Sequence, residues 1–364
     1  MDVHTTNYTL CCYSMEDDRF FAEVQVEPDA KNILKYLARI EKQQSRDCRI
    51  VCGYEAGCLG YSLYHQLHAH GIDCVILAPT TMMTKPGKRI KTDRRDARLI
   101  SKCLAFHTYS PVYIPTEVDD AVKEYIRMRD DANSALARVK QQIIAFCIRH
   151  GKIHDGKSYW TNKHLEWLSS LDLGNKILSE VLQEYLIRYY QLREQVDMYD
   201  MRINELAQAE PYRQKVEKLG CFRGIAAHTA LSFCVEVGDF RRFATAQQFA
   251  SYLGLVPGEC SSGDKQQYTG ITKAGNSHLR KLLVETAQVF GRSATKSGKS
   301  VALKERQAKC DSLTVAYADK ANARLKKKYF KIAMRSKVNI AKTAVAREMA
   351  CFIWGMMTDN ISCA

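Results

Sequence analysis

Two aspartates lie three residues apart in a strongly basic segment, KTDRRDARLI, at residues 91–100. On a helix that begins near Thr92, Asp93 and Asp96 would be neighbours on one face, with Cβ atoms roughly 5 to 6 Å apart. Carboxylates this close repel each other unless a cation lies between them. The pair is therefore either a helix cap, with Asp93 as the N-cap residue, or part of a metal site.

Two further acids favour the metal site. Glu55 ends the apolar strand pattern RIVCGYE, and Asp2 stands at the head of the first strand pattern. In a ribonuclease H-like sheet, these two strand positions and the start of the later helix converge on one point. Four carboxylates at one point need divalent cations, and hard oxygen ligands favour Mg²⁺ or Mn²⁺. Two such ions about 4 Å apart would flank an in-line phosphoryl displacement.

The charge balance predicts a polyanionic partner. Lys and Arg number 54 against 40 Asp and Glu, a formal net charge of +14. Polyphosphate chains are the commonest such partner, so we expect nucleic acid. The alternative for each cation is a solvated loop or helix start. The predicted phosphate contacts are Lys88, Arg89, Lys91, Arg94, Arg95, Lys273, His278, Arg280, Lys281, Lys326, Lys327, Lys328, Lys331 and Arg335.

Several other classes of protein are disfavoured. The 14 cysteines are scattered and include no Cys-x-x-Cys pair, so we expect reduced thiols rather than disulfides or a zinc site. The N-terminus lacks the order of a signal peptide, and no apolar run approaches the roughly 20 residues that cross a bilayer. The sequence therefore predicts a cytoplasmic protein with no membrane partner, associated with the nucleoid when it acts.

The order of predicted elements divides the chain into three parts. Residues 1–112 read as strands followed by alternating strands and helices, with two strands at 3–15 and 19–26, which suits an α/β ribonuclease H-like fold. Residues 113–213 contain two long helices with near-heptad apolar spacing, typical of an antiparallel coiled coil or an oligomerising stalk. Residues 214–364 are mostly helical and begin with a helix, a Gly-containing turn and a second helix.

Further along, residues 244–288 predict two helices separated by a loop rich in Ser, Gly and Asp. The loop contains Ser261 and Ser262 in GLVPGECSSG. Taken alone, this composition is typical of a turn.

Taken together, the motifs resemble those of the IS110 family of insertion-sequence transposases, the DEDD transposases understood as recombinases guided by a bridge RNA. The similarity covers nearly the whole chain. It is carried by MDVHTTNYTLCC, YEAGCLGYSLYHQLHAHGIDCVILAP, KPGKRIKTDRRDARLI, FRGI, VEVGDFRRF, YLGLVPGECSSG and GITKAGNSHLRKLLVE, which follow one another in the family's order.

The resemblance implies a RuvC-like N-terminal domain whose acidic tetrad corresponds to Asp2, Glu55, Asp93 and Asp96. It also implies a C-terminal transposase domain with a serine nucleophile, which corresponds to Ser262, with Ser261 as the second choice. The implied partners are donor and target DNA, a structured non-coding bridge RNA, and further copies of the chain as dimers that pair into a tetramer. The implied cofactor is Mg²⁺ or Mn²⁺.

In one respect the sequence departs from the family pattern. Family members carry a few apolar residues before the first aspartate, whereas Asp2 here follows Met1 directly. This predicts either a start further upstream or a shortened first strand. Two other functions stay open: a junction-resolving nuclease that uses only the carboxylates and water, and a nucleic-acid-binding protein whose catalysis has decayed.

Overall fold

The computed structural model describes residues 1–43, 49–82, 92–259, 268–292 and 298–361, without the side chains of Thr80 and Tyr268. The chain forms two compact units, residues 1–114 and residues 115–364. The boundary predicted at residue 113 lies close to this division, whereas the boundary predicted at residue 214 falls inside the second unit. The roles assigned to the three predicted domains stay predictions.

An antiparallel sheet opens the first unit. Its strands pair in chain order and are β1 (Asp2–Val3), β2 (Tyr8–Ser14) and β3 (Arg19–Val26). The single strand predicted from residue 3 to residue 15 was wrong. A turn interrupts it, because the backbone N–H of His4 donates to the carbonyl of Asn7 at 3.0 Å. The turn brings the His4 side chain beside Asp2.

The rest of this unit alternates helix and strand as predicted. Its elements are α1 (Ala30–Gln43), β4 (Cys52–Glu55), α2 (Ser62–Ala69), β5 (Cys74–Leu77) and α3 (Asp93–Ala105). Strands β4 and β5 are parallel, and the amine of Met1 donates to the carbonyl of Gly53 at 2.7 Å, which ties the start of β1 to β4. Helix α3 packs on β1, β2 and β4. A Cβ on Gly53 would lie 2.9 Å from Leu104 of α3, so glycine permits this close packing.

Two long helices dominate the start of the second unit. They are α4 (Glu117–Arg149) and α6 (Lys176–Gln208), with the short helix α5 (Asn162–Ser169) between them. Asp119 bonds to Tyr212 just beyond α6, Arg129 bonds to Asp200, and Phe146 contacts Tyr185, so α4 and α6 run antiparallel. Their buried apolar residues follow the spacing that predicted a helical hairpin.

The remaining elements include the helices that, together with α4 and α6, form the largest hydrophobic core of the described residues. They are α7 (Arg213–Gly220), α8 (Ala227–Val237), α9 (Ala246–Tyr252), β6 (Pro257–Glu259), β7 (Tyr268–Ile271), α10 (Ser277–Ala287), α11 (Val301–Gln307), α12 (Ser312–Ala333) and α13 (Val338–Met357). The helix, turn and helix predicted near residue 216 are α7 and α8. The antiparallel pair β6 and β7 was not predicted. Among the described residues, no helix has the length and apolar character needed to span a bilayer.

Candidate functional site

The N-terminus of α3 is capped by a residue outside the aspartate pair. Thr92 is the N-cap residue, and its hydroxyl accepts a hydrogen bond from the backbone N–H of Arg95 at 3.4 Å. Asp93 and Asp96 therefore lie inside the first turn, three residues apart on one face. The cap role that the sequence left open for Asp93 belongs to Thr92, so the two carboxylates remain available for another purpose.

Asp2 reaches the same place from β1. Its side chain is only 12% exposed. Burial raises the pKa of the Asp2 carboxyl above its ordinary value, His4 lowers it, and the carboxylates of Asp96 and Asp93 raise it. The effect of the two α3 aspartates on Asp2 means that three carboxylates share one small region, which is the arrangement that a cation stabilises.

His4 completes a compact group of ligand atoms. Its Nε2 lies 3.2 Å from Oδ2 of Asp2 and 4.0 Å from Oδ1 of Asp93. Among the described residues, Asp2, His4 and Asp93 form the one set of three such side chains whose ligand atoms all lie within 4.8 Å of one another. Carboxylate oxygens with an imidazole nitrogen suit Mn²⁺ well and Mg²⁺ through the oxygens. His4 was not predicted as a ligand, although its position two residues after Asp2 is visible in the sequence.

Glu55 occupies the position predicted for it, the last residue of β4. It is opposite Leu77 of the parallel neighbour β5, and β4 contacts both β1 and α3. The backbone therefore brings the elements that carry all four predicted acids together. Glu55 and Asp96 nevertheless lie outside the compact group of Asp2, His4 and Asp93.

The predicted nucleophile falls outside the described residues, as do Ser261, Lys88, Arg89 and Lys91. Strands β6 and β7 flank residues 260–267, and their base is closely packed. A Cβ on Gly254 would lie 2.1 Å from the carbonyl oxygen of Ala274, and a Cβ on Gly275 would lie 2.1 Å from that of Tyr252. Both glycines have positive φ angles, +64° and +83°. Gly254 and Gly275 thus permit the close backbone contacts at the base of β6 and β7.

The predicted phosphate contacts differ in how they are engaged. Arg94, Arg95, Lys273 and Lys281 are exposed, whereas Nη1 of Arg280 donates to the carbonyl of Leu253 at 2.9 Å. On and just after α12, Lys327, Lys331 and Arg335 are exposed and recur every four residues, which places them on one face. Lys328 instead pairs with Glu348 of α13 at 2.6 Å, and Lys326 is half-buried.

A buried polar network in the second unit was not predicted. His278, expected to contact phosphate, instead lies between Asp130 of α4 and Glu236 of α8. Its Nε2 is 2.8 Å from Oδ2 of Asp130, and its Nδ1 contacts Oε1 of Glu236. Burial alone would lower the pKa of His278, but its two carboxylate partners raise it to about 9. Only the fold joins these residues, because they lie on three helices that are far apart in sequence.

Two family models match the chain. A transposase model of the DEDD type found in IS110 elements matches residues 1–148, which include the acidic cluster. A model described as the transposase IS116/IS110/IS902 family matches residues 217–306, which include β6 and β7.

Individual relatives are similar over most of their length. The protein named "Putative transposase y4qE" of Sinorhizobium fredii is 36% identical over 307 residues, which cover 84% of this chain and 75% of that protein. The transposase for insertion sequence element IS1533 of Leptospira borgpetersenii is 32% identical over 336 residues, covering 90% of this chain and 94% of that protein. The transposase for insertion sequence element IS1111A of Coxiella burnetii is 26% identical over 268 residues, covering 70% and 71%.

Proposed function

Because the chain belongs to the IS110 family of insertion-sequence transposases, we propose that it mobilises its own element by cutting and rejoining DNA strands. The observation that carries this proposal is the gathering of Asp2, His4 and Asp93 within 4.8 Å, with Asp96 close enough to raise the pKa of Asp2. Relatives named as transposases of insertion sequences support it.

The proposed architecture of the first unit is RuvC-like. Strands β1 to β3 form an antiparallel sheet, β1 is tied to β4, and β4 runs parallel to β5. This order, with α3 packed across the sheet, is the arrangement expected of a ribonuclease H-like fold. The match of the DEDD-type model to residues 1–148 supports the same assignment.

The proposed cofactor is Mg²⁺ or Mn²⁺. Asp2, Glu55, Asp93 and Asp96 would hold it, with His4 as an additional nitrogen ligand. Bound divalent ions would neutralise the charge of the phosphodiester and stabilise the leaving oxygen. The exposed Arg94 and Arg95 in the first turn of α3 would hold neighbouring phosphates of the same strand.

The proposed nucleophile is Ser262. Its Oγ would lose its proton as it forms a bond to phosphorus, the bond between phosphorus and a deoxyribose oxygen would break, and the released oxygen would take up a proton in turn. The resulting phosphoserine linkage conserves the energy of the diester, so a new strand end can reverse the step without a nucleotide cofactor. The match of the second family model to residues 217–306, which span this serine, supports the assignment.

The proposed partners are donor and target DNA and a structured non-coding RNA that pairs with both. The net charge of +14 and the exposed row of Lys327, Lys331 and Arg335 support a polyphosphate partner. Bringing two duplexes together requires several active sites, so we propose that copies of the chain form dimers and that two dimers pair into a tetramer. Helix α6 supports this, because it exposes Ile187, Tyr190, Met198 and Met201.

A recombination assay in cells tests the proposal. A plasmid carrying the element with its flanking sequence should lose recombination when Asp93→Ala or Ser262→Ala is introduced, while the purified variants still bind the transcribed flanking RNA. Full recombination with Ser262→Ala but none with Asp93→Ala would favour the junction-resolving nuclease. No metal-dependent cleavage by the unaltered protein would favour a nucleic-acid-binding protein without catalysis.

A further inference from the structure

The polar network around His278 joins three helices to the base of the β6 and β7 hairpin. His278 is the second residue of α10, and its ring lies between a carboxylate of α4 and one of α8. The side chain of Glu236 is only 4% exposed, and those of His278 and Asp130 are each 21% exposed. The network is thus largely shielded from water, where such contacts are strongest.

The geometry determines the protonation of the ring. Each ring nitrogen of His278 faces a carboxylate oxygen, and an ionised carboxylate can only accept a hydrogen bond. Both nitrogens must therefore carry a proton, which makes the ring an imidazolium with no free lone pair. His278 consequently cannot act as a general base while these contacts persist.

The carboxylates are held in turn by other groups. Arg129 donates from Nη1 to Asp130 at 3.1 Å and forms two further bonds to Asp200 of α6, at 2.7 and 3.0 Å. His228 of α8 lies 3.0 Å from Oδ1 of Asp130. The titratable and charged groups that face the network are therefore Arg129 and Asp130 on α4, Asp200 on α6, His228 and Glu236 on α8, and Arg127, which acts on Glu236.

The same network anchors the hairpin. The side-chain amide of Asn276 donates to Oε2 of Glu236 at 2.6 Å, while its Oδ1 caps α10. The backbone N–H of Asn276 bonds to the carbonyl of Tyr252, and that of Lys273 bonds to Gly254, at the base of β6 and β7. The imidazolium, the cap of α10 and the hairpin base therefore form one connected set of contacts.

We propose that His278 is a positioning residue. Its contacts with Asp130 and Glu236 hold the start of α10 in a fixed position relative to the long helices α4 and α6. Through Asn276, the same contacts hold the base of the β6 and β7 hairpin. The proposal rests on the proposed function, in which the nucleophile is Ser262, between β6 and β7 in the sequence. It predicts that a displacement of helices α4 and α6 is transmitted through Asp130 and His278 to the base of strands β6 and β7.

Kinetics of the purified full-length protein test this role. With the transcribed flanking RNA and donor DNA of its own element, His278→Gln should slow strand cleavage at saturating DNA at least about tenfold, since displacements near 1 Å can cost this much or more. DNA affinity should change less than about twofold, because both ring nitrogens of His278 are engaged by carboxylates of the protein. Glu285→Gln, on the exposed side of the same helix, is the matched control and should leave both unchanged.

The dependence of the cleavage rate on pH distinguishes a role for the charge of His278 from a role for its packing alone. Cleavage by the unaltered protein should fall as pH rises through about 9, where His278 loses its second proton. His278→Lys keeps a cation that can donate to both carboxylates, so it should restore most of the rate and move this decline to higher pH. His278→Gln should lack the decline. An unchanged rate and an unchanged profile in His278→Gln would overturn the proposal.

A spectroscopic measurement keeps the proposal testable if His278→Gln does not fold or if no cleavage is found. In protein labelled with ¹⁵N-histidine, one of the 10 imidazoles should keep both ring protons up to about pH 9. Its signal should vanish in His278→Lys. Titration of every imidazole near the ordinary value of about 6.5 would overturn the proposal. Absence of cleavage by the unaltered protein, with the signal present, would count against the proposed function alone.

Discussion

The imidazole Nε2 of His4 lies 3.2 Å from Oδ2 of Asp2, on the turn that separates β1 from β2. The same nitrogen lies 4.0 Å from Oδ1 of Asp93. In the proposed metal site these three side chains would hold one divalent ion, with His4 adding a nitrogen to the carboxylate oxygens.

The first prediction concerns His4 and Mn²⁺. Bound Mn²⁺ should show the magnetic coupling to ¹⁴N that a histidine ligand produces in electron spin echo spectra. His4→Ala should abolish this coupling and weaken Mn²⁺ binding at least about tenfold, as measured by calorimetry. His70→Ala, at the exposed end of α2, is the matched control. Coupling that persists in His4→Ala would exclude His4 as a ligand. A second variant, Asp93→Asn, tests the site itself and should lose Mn²⁺ binding.

The second prediction concerns the stability of the acidic cluster without metal. Asp96→Asn removes one of the carboxylates that raise the pKa of Asp2, so it should raise the free energy of unfolding by roughly 0.5 to 1 kcal/mol in the presence of EDTA. The same variant should gain less thermal stability than the unaltered protein when Mn²⁺ is added. Glu27→Gln, exposed and remote from the cluster in sequence, serves as control. A destabilised Asp96→Asn protein in EDTA would contradict the repulsion between carboxylates on which the proposed metal site depends.

A third prediction follows from the pKa of His278. Because the folded state raises this pKa to about 9, its stabilising contribution is complete below the unfolded value of about 6.5 and is lost as pH rises through about 9. The contribution at neutral pH is on the order of 2–3 kcal/mol. Urea unfolding at pH 7 and pH 9.5 should show His278→Gln less stable at pH 7, with the difference shrinking at pH 9.5. A difference that does not change with pH would mean that the ring is neutral.

The fourth prediction concerns the exposed row on α12. Lys327→Ala, Lys331→Ala and Arg335→Ala should each weaken binding of the flanking RNA and lower the slope of log affinity against log salt by up to about 1. Lys35→Ala, an exposed lysine of α1, should leave both unchanged. Lys328→Ala should instead lower stability, because Lys328 pairs with the largely buried Glu348. Unchanged salt slopes in all three row variants would show that this face does not meet a polyphosphate.

Local patterns predicted those parts of the fold and site that depend on neighbouring residues. The spacing of Asp93 and Asp96, the position of Glu55 at a strand end and the two long helices were all visible in the sequence. The sequence left the cap open, because Thr92 and Asp93 are adjacent and both are good N-cap residues; the structure assigns it to Thr92. The β6 and β7 hairpin was missed because its strands are three and four residues long.

The contacts of the polar network around His278 could not be predicted. Asp130, Glu236 and His278 each sit in an ordinary helical pattern, and no spacing links them. His278 lies among cations in sequence, yet the fold turns it toward two carboxylates. His4 was overlooked because the first strand was expected to continue past it, which would have carried its side chain along the sheet rather than beside Asp2.

The most direct test of recombination through a serine is to isolate the covalent intermediate. Purified protein with Mn²⁺, its flanking RNA and donor DNA carrying a nick near the cleavage point should yield a protein–DNA adduct whose tryptic peptide carries a nucleotide on Ser262. Ser262→Ala should form none, and Ser261→Ala should form it normally. Cleaved DNA with no adduct in the unaltered protein, or an adduct that persists in Ser262→Ala, would contradict the account.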